Sequence, residues 1–174
     1  MYLAILTFVH VLISLVGIFS GFAVLFGLLG DRPLNGRTGL FLATTVATSV
    51  TGFFFPVNHF MPSHAVGIIS LLVLALAIYA LYSRKLVGGW RKTFVASSVA
   101  GLYFNVFVAI VQAFSKIPAL KALAPTQSET PFKLTQLVVL LAFVVLGILA
   151  AIRFRSARAP AAPTVRYQET GLQA

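Results

Sequence analysis

Five long apolar stretches, at about 3–29, 40–55, 64–82, 93–114 and 134–152, alternate with short polar segments rich in Gly, Pro and basic residues. A helix rises 1.5 Å per residue, and the hydrocarbon layer of a bilayer is about 30 Å thick, so runs of this kind predict membrane-crossing helices. The breaks fall where chain chemistry favours them. Gly30-Asp31-Arg32-Pro33 stops the first stretch, and Phe53-Phe54-Phe55 thickens the second at an interface before Pro56 ends it. Ser63 stands as an N-cap for the third, and Ser83–Lys92 carries four bases and Trp90 into the fourth. The segment 115–133 predicts a short interfacial helix followed by a Pro-punctuated loop, and 156–174 reads as a flexible cytoplasmic tail. The expected fold is an all-α membrane protein, a bundle of five transmembrane helices in one domain over 1–155.

Polar positions inside these stretches recur at helical spacing. His10, Ser14, Gly17, Gly21 and Val24 share one face of the first. Thr44, Thr48 and Thr51 share a face of the second, with Thr45 and Ser49 beside it. Ser98, Gly101, Asn105, Val108 and Gln112 fall in one heptad register of the fourth. Small residues let helices approach closely in lipid, and an amide or hydroxyl in hydrocarbon needs a partner. Each of these faces is therefore expected to look into the bundle.

Composition agrees with this pattern: 59% of residues are hydrophobic and only 9% charged, with three acids, Asp31, Glu129 and Glu169. A soluble domain needs a charged skin that this chain lacks. The net charge of +10 is confined to loops and tail, as membrane orientation signals are and as a nucleic-acid surface is not. With the N-terminus outside, Arg32, Arg37, Arg84, Lys85, Arg91, Lys92, Arg153, Arg155, Arg158 and Arg166 lie inside, and only Lys116, Lys121 and Lys133 lie outside. Ten bases against three predict N-terminus out and C-terminus in. The N-terminal run lacks a basic leader and is too long for a signal core, so it reads as a retained span. Zero cysteines remove thiolate and iron–sulfur chemistry.

This topology sets His10, His59 and His64 on one side, with Asn105 and Gln112 in the outer half of the fourth span and Thr48 and Thr51 nearby. An outward-facing polar pocket is the expectation. Its sharpest use would be a haem b or divalent-metal site, with His10 and His64 as the best pair and His59 as a third donor, because imidazole is the common nitrogen ligand. Against it, Pro62 breaks any helical pairing of His59 with His64, and no acid stands near to orient a ligand. The structural alternative is that His10 bonds across a helix seam and the other two are interfacial. Coupled transport finds no Asp, Glu, Lys or Arg within the spans. A small oligomeric channel could use the hydroxyl and amide faces. Hydrolysis has neither nucleophile elbow nor orienting acid, and no phosphate loop is present.

At LFLATTVATSVTGFFFP, PSHAVGIISL and LAPTQSETPF the chain resembles a group of small bacterial integral inner-membrane proteins. The resemblance extends to about Arg155, implies a multi-pass location in the bacterial inner membrane, and brings no activity. The functional expectation is a non-enzymatic membrane protein, an accessory subunit or small-ligand binder, with the bilayer and a homo-oligomer or larger membrane complex as partners. A histidine-ligated redox protein and an oligomeric channel are the alternatives.

Overall fold

The computed structural model describes residues 1–32, 34, 36–56 and 62–155. All regular elements among them are helical: α1 (Tyr2–Leu29), α2 (Gly36–Gly52), α3 (Pro62–Ile78) with a π-helical turn at Tyr79–Ser83, α4 (Trp90–Lys116), α5 (Pro118–Leu123) and α6 (Thr130–Arg153). Four stretches are long and apolar enough to cross a membrane: α1, Ser63–Ser83, α4 and α6. The fifth predicted span, α2, has 17 residues, or roughly 25 Å of helix against a hydrocarbon layer of about 30 Å.

The contacts form ladders that set the helices in alternating directions. Along α1 and α2, His10 meets Thr51, Gly17 meets Thr44 and Thr45, and Gly21 meets Phe41. Along α4 and α6, Arg91 reaches Arg155, Gly147 meets Val99, Tyr103 meets Phe143, and Phe114 meets Phe132. Ser49 on α2 bonds Ser70 on α3, and Leu74 on α3 packs on Gly101 of α4. The central element is α4, which touches α1, α2, α3, α5 and α6. Its Phe94, Val95 and Leu102 are sealed from outside, with Leu25, Leu28, Phe41 and Leu74 around them. By contrast α6 buries only Gln136, Phe143 and Ala150, one residue per two turns.

Several boundaries differ from expectation for identifiable reasons. Rather than running from 40 to 55, α2 occupies Gly36–Gly52, because Thr38 in its first turn is buried and so belongs to the packed helix. It stops at Gly52, the poorest helix former short of proline, and Phe53 and Phe54 follow in tight turns onto the carbonyls of Val50 and Thr51. Ser63 lies inside the first turn of α3, not at its cap, since Pro62 takes the start of the helix, where its missing N–H costs nothing. The expected short helix after α4 is present as α5. The connection from α3 to α4 uses left-handed backbone at Lys85, Leu86 and Gly88 and tucks Leu86 into the core. Trp90 then sits edge-on to Tyr79 at 5.2 Å, with the Arg84 guanidinium 5.1 Å from its ring centre. The 156–174 tail lies outside the described residues.

Candidate functional site

The polar faces of α1, α2 and α4 meet in one seam. At its deepest point the Asn105 amide of α4, 8% exposed, donates to Thr45 Oγ1 at 3.3 Å. Gly17 makes this possible: a Cβ there would stand 3.0 Å from Asn105 Nδ2 and 3.3 Å from the Thr44 and Thr45 hydroxyls. The absent side chain of α1 is thus replaced by polar atoms from two other helices. One turn inward, a Cβ at Gly21 would lie 2.6 Å from Leu102 and 2.9 Å from Phe41. The seam is closed there by apolar packing.

Towards the N-terminal end of α1, His10 Nδ1 lies 2.8 Å from Thr51 Oγ1. The Thr51 hydroxyl itself donates to the carbonyl of Ala47 at 2.8 Å, with Thr48 O at 3.1 Å. Its single hydrogen is spent, so it accepts from His10, and this network assigns the proton to Nδ1. Nε2 keeps its lone pair. The ring also stands edge-on to Phe55 at 5.3 Å. His64, at the start of α3, lies against Phe53, with ring centres 5.7 Å apart. Both imidazoles therefore flank the Phe53–Phe55 turn, each on a different ring. His59 lies outside the described residues.

The remaining predicted residues separate. Thr48 is buried at 8% exposure, and its hydroxyl has no hydrogen-bond partner among the described residues. Gln112 shares the register of Asn105 but is exposed. The face that is sealed at Ser98, Gly101 and Asn105 opens over the last turns of α4, so the inward orientation expected of Gln112 does not hold. Among the described residues no three His, Asp or Glu side chains come together as a metal site. A ligand held here would draw on His10 Nε2 and hydroxyl oxygens.

Sequence reading missed two amides. Gln136 lies in the span that reads as most uniformly apolar, yet it is buried and donates to the Phe107 carbonyl at 3.3 Å. Its Oε1 is buried with no partner among the described residues. The signal was available, since no other amide occurs in 134–152. Gln127, in left-handed conformation, reaches back from the α5–α6 loop to Val111 O at 2.9 Å and Ser115 Oγ at 2.7 Å. In the same loop Glu129 accepts from the Thr126 hydroxyl at 2.8 Å, the Thr126 N–H at 3.1 Å and the Ser128 N–H at 3.0 Å. Desolvation, the largest single influence, pushes the Glu129 carboxyl up, but the hydrogen bonds together outweigh it and hold the group below the usual carboxylate range.

Two concavities lie at the opposite end of the bundle. One, of about 420 Å³, is bordered by Leu29, Gly30, Asp31, Ile152, Arg153 and Arg155. The other, of about 50 Å³, lies between the end of α1 and the start of α2. No protein-family model, no curated protein and no solved structure matches the chain.

Proposed function

We propose that this protein is a non-enzymatic, five-span accessory subunit of a bacterial inner membrane, N-terminus out and C-terminus in, acting through its helix surfaces. One observation carries the reading: where polar side chains of α1, α2 and α4 meet between helices they bond one another, Asn105 to Thr45 and His10 to Thr51. Chemistry on a substrate would need such groups directed into open space. At the same time the first twelve residues of α1 are nearly all exposed, including Leu3, Ile5, Phe8 and Leu12, and so is most of α6. These are surfaces on which lipid or a partner helix can pack. The α1–α2 ladder supports counting α2 as the fifth span despite its length. The excess of bases at one end supports the orientation.

A photo-crosslinking residue at Phe8, and separately at Leu141, tests this in native membranes. A discrete protein adduct at either position is the expected result; lipid adducts alone at both would refute the accessory role. A reporter fused after Ala174 is expected to behave as cytoplasmic, and a periplasmic result would refute the five-span topology.

A second reading rests on His10. A ligating histidine commonly donates its other ring nitrogen to a fixed acceptor, and the bond to Thr51 has that form. A Soret band that shifts on reduction and disappears in His10→Ala would establish a haem protein in place of the accessory reading.

A further inference from the structure

We propose that the cleft between the end of α1 and the start of α2 binds the phosphate of an anionic phospholipid headgroup. Its lining is Ala23, Val24, Gly27, Arg32, Leu34, Arg37 and Thr38: two arginines and a threonine beside small and apolar residues. The chain builds this arrangement locally. Arg32 N–H donates to Gly27 O at 2.9 Å, folding the backbone over the last turn of α1, and the Arg32 side chain lies across Gly30. Arg37 and Thr38 belong to the first turn of α2, where the helix dipole adds favourable potential for an anion. Planar guanidinium groups match phosphate oxygens in charge and geometry.

Size and surroundings select the ligand. The cleft holds about 50 Å³, while a water molecule claims roughly 30 Å³ of liquid volume. The cleft is of the order of size of a phosphate group. The lining continues along α1 through Gly27 and Ala23, and a Cβ at Gly27 would meet nothing within 4 Å, so the apolar remainder of a lipid can follow the helix into the bilayer. Asp31, the one acid among the described residues of this end, lines the neighbouring concavity and accepts from Arg155 N–H at 2.7 Å. Basic clefts between helices at a membrane surface are suited to anionic headgroups. Lys85 and Lys92 carry equal charge on the same end of the bundle but do not line the cleft, which makes them the control.

Native mass spectrometry of the full chain in mild detergent, titrated with phosphatidylglycerol, tests the site. One saturable adduct is expected, weakened in R32Q/R37Q by about tenfold more than in K85Q/K92Q, as loss of charge-assisted bonds requires. G27L, which fills the groove and keeps both arginines, is expected to weaken it as well. Equal weakening in the two charge-removal variants would reduce the effect to general attraction and overturn the proposal, as would equal binding of zwitterionic phosphatidylcholine. Inorganic phosphate supplied in excess is expected to leave the lipid adduct in place. Displacement by phosphate that depends on Arg32 and Arg37 would make a free anion the ligand and overturn the lipid assignment. Should R32Q/R37Q fail to fold, G27L and the lipid comparison decide the matter.

Discussion

Helices α1 and α4 meet their neighbours along two seams of opposite chemistry. With α2 they form a polar seam, where Gly17, Thr45 and Asn105 interlock and His10 bonds Thr51. With α6 they form an aromatic one, in which Phe22 and Tyr103 both pack on Phe143, at 6.1 and 5.7 Å between ring centres. In lipid, apolar burial gives little drive for association, so packing and interhelical hydrogen bonds must hold a bundle together. Aromatic rings supply contact area with tolerant geometry. A hydrogen bond supplies less energy but only at one register. The polar seam therefore fixes the alignment of α1, α2 and α4, while α6 is attached mainly by aromatic bulk, with the Gln136 bond to the Phe107 carbonyl beside it, consistent with the narrow stripe that α6 buries.

The comparison breaks most readily at Gly21. Both residues that a new side chain would strike, Leu102 and Phe41, are 1% exposed and have nowhere to move. Gly21→Val is expected to destabilise the bundle by about 3 kcal/mol, the upper range for overpacking, measured by thermal unfolding in detergent. Phe143→Ala is expected to cost about 2 kcal/mol, below the soluble-protein range for this change because the unfolded reference is itself in lipid. It should loosen α6 while leaving α1 and α2 paired, which site-specific hydrogen exchange would report. Asn105→Leu removes one interhelical bond and is expected to cost about 1 kcal/mol.

The smallest effect is a pH dependence confined to the α5–α6 loop. The Glu129 carboxyl is held below its ordinary range by the bonds from Thr126 and Ser128. A carboxyl with a depressed folded pKa contributes order that is complete above the unfolded value and is lost as pH falls through the folded one. Protection of the Thr126 and Ser128 amides, measured against their intrinsic exchange rates, should therefore fall on acidification through that window. Glu129→Gln should lower that protection at every pH.

Much of this arrangement can be read from the residues because burial follows helical period. The His10–Val24 face predicted from spacing is the face that packs: Gly17, Gly21 and Val24 are buried, and His10 and Ser14 are half-buried. Where the reading fails, the missing information is what stands opposite. Asn105 and Gln112 occupy the same face of α4, yet only Asn105 meets a neighbouring helix that covers it. The pairing of Asn105 with Thr45 needs the relative rotation of two helices, which no periodicity encodes. Gln136 was hidden for another reason, since one amide barely lowers the mean hydropathy of a long apolar run. The helix α2 starts before its apolar pattern does because Gly36, Arg37 and Thr38 have the composition of a loop, although Thr38 is sealed by packing at 3% exposure.

The claim on which the account rests is that His10 serves to fasten α1 to α2. A double-mutant cycle of His10→Ala and Thr51→Val, with unfolding measured in lipid nanodiscs, tests it most directly. A coupling between about 0.6 and 1.7 kcal/mol, the span found for interhelical hydrogen bonds in a bilayer, is the predicted result. A coupling indistinguishable from zero would contradict the account and free His10 for another role.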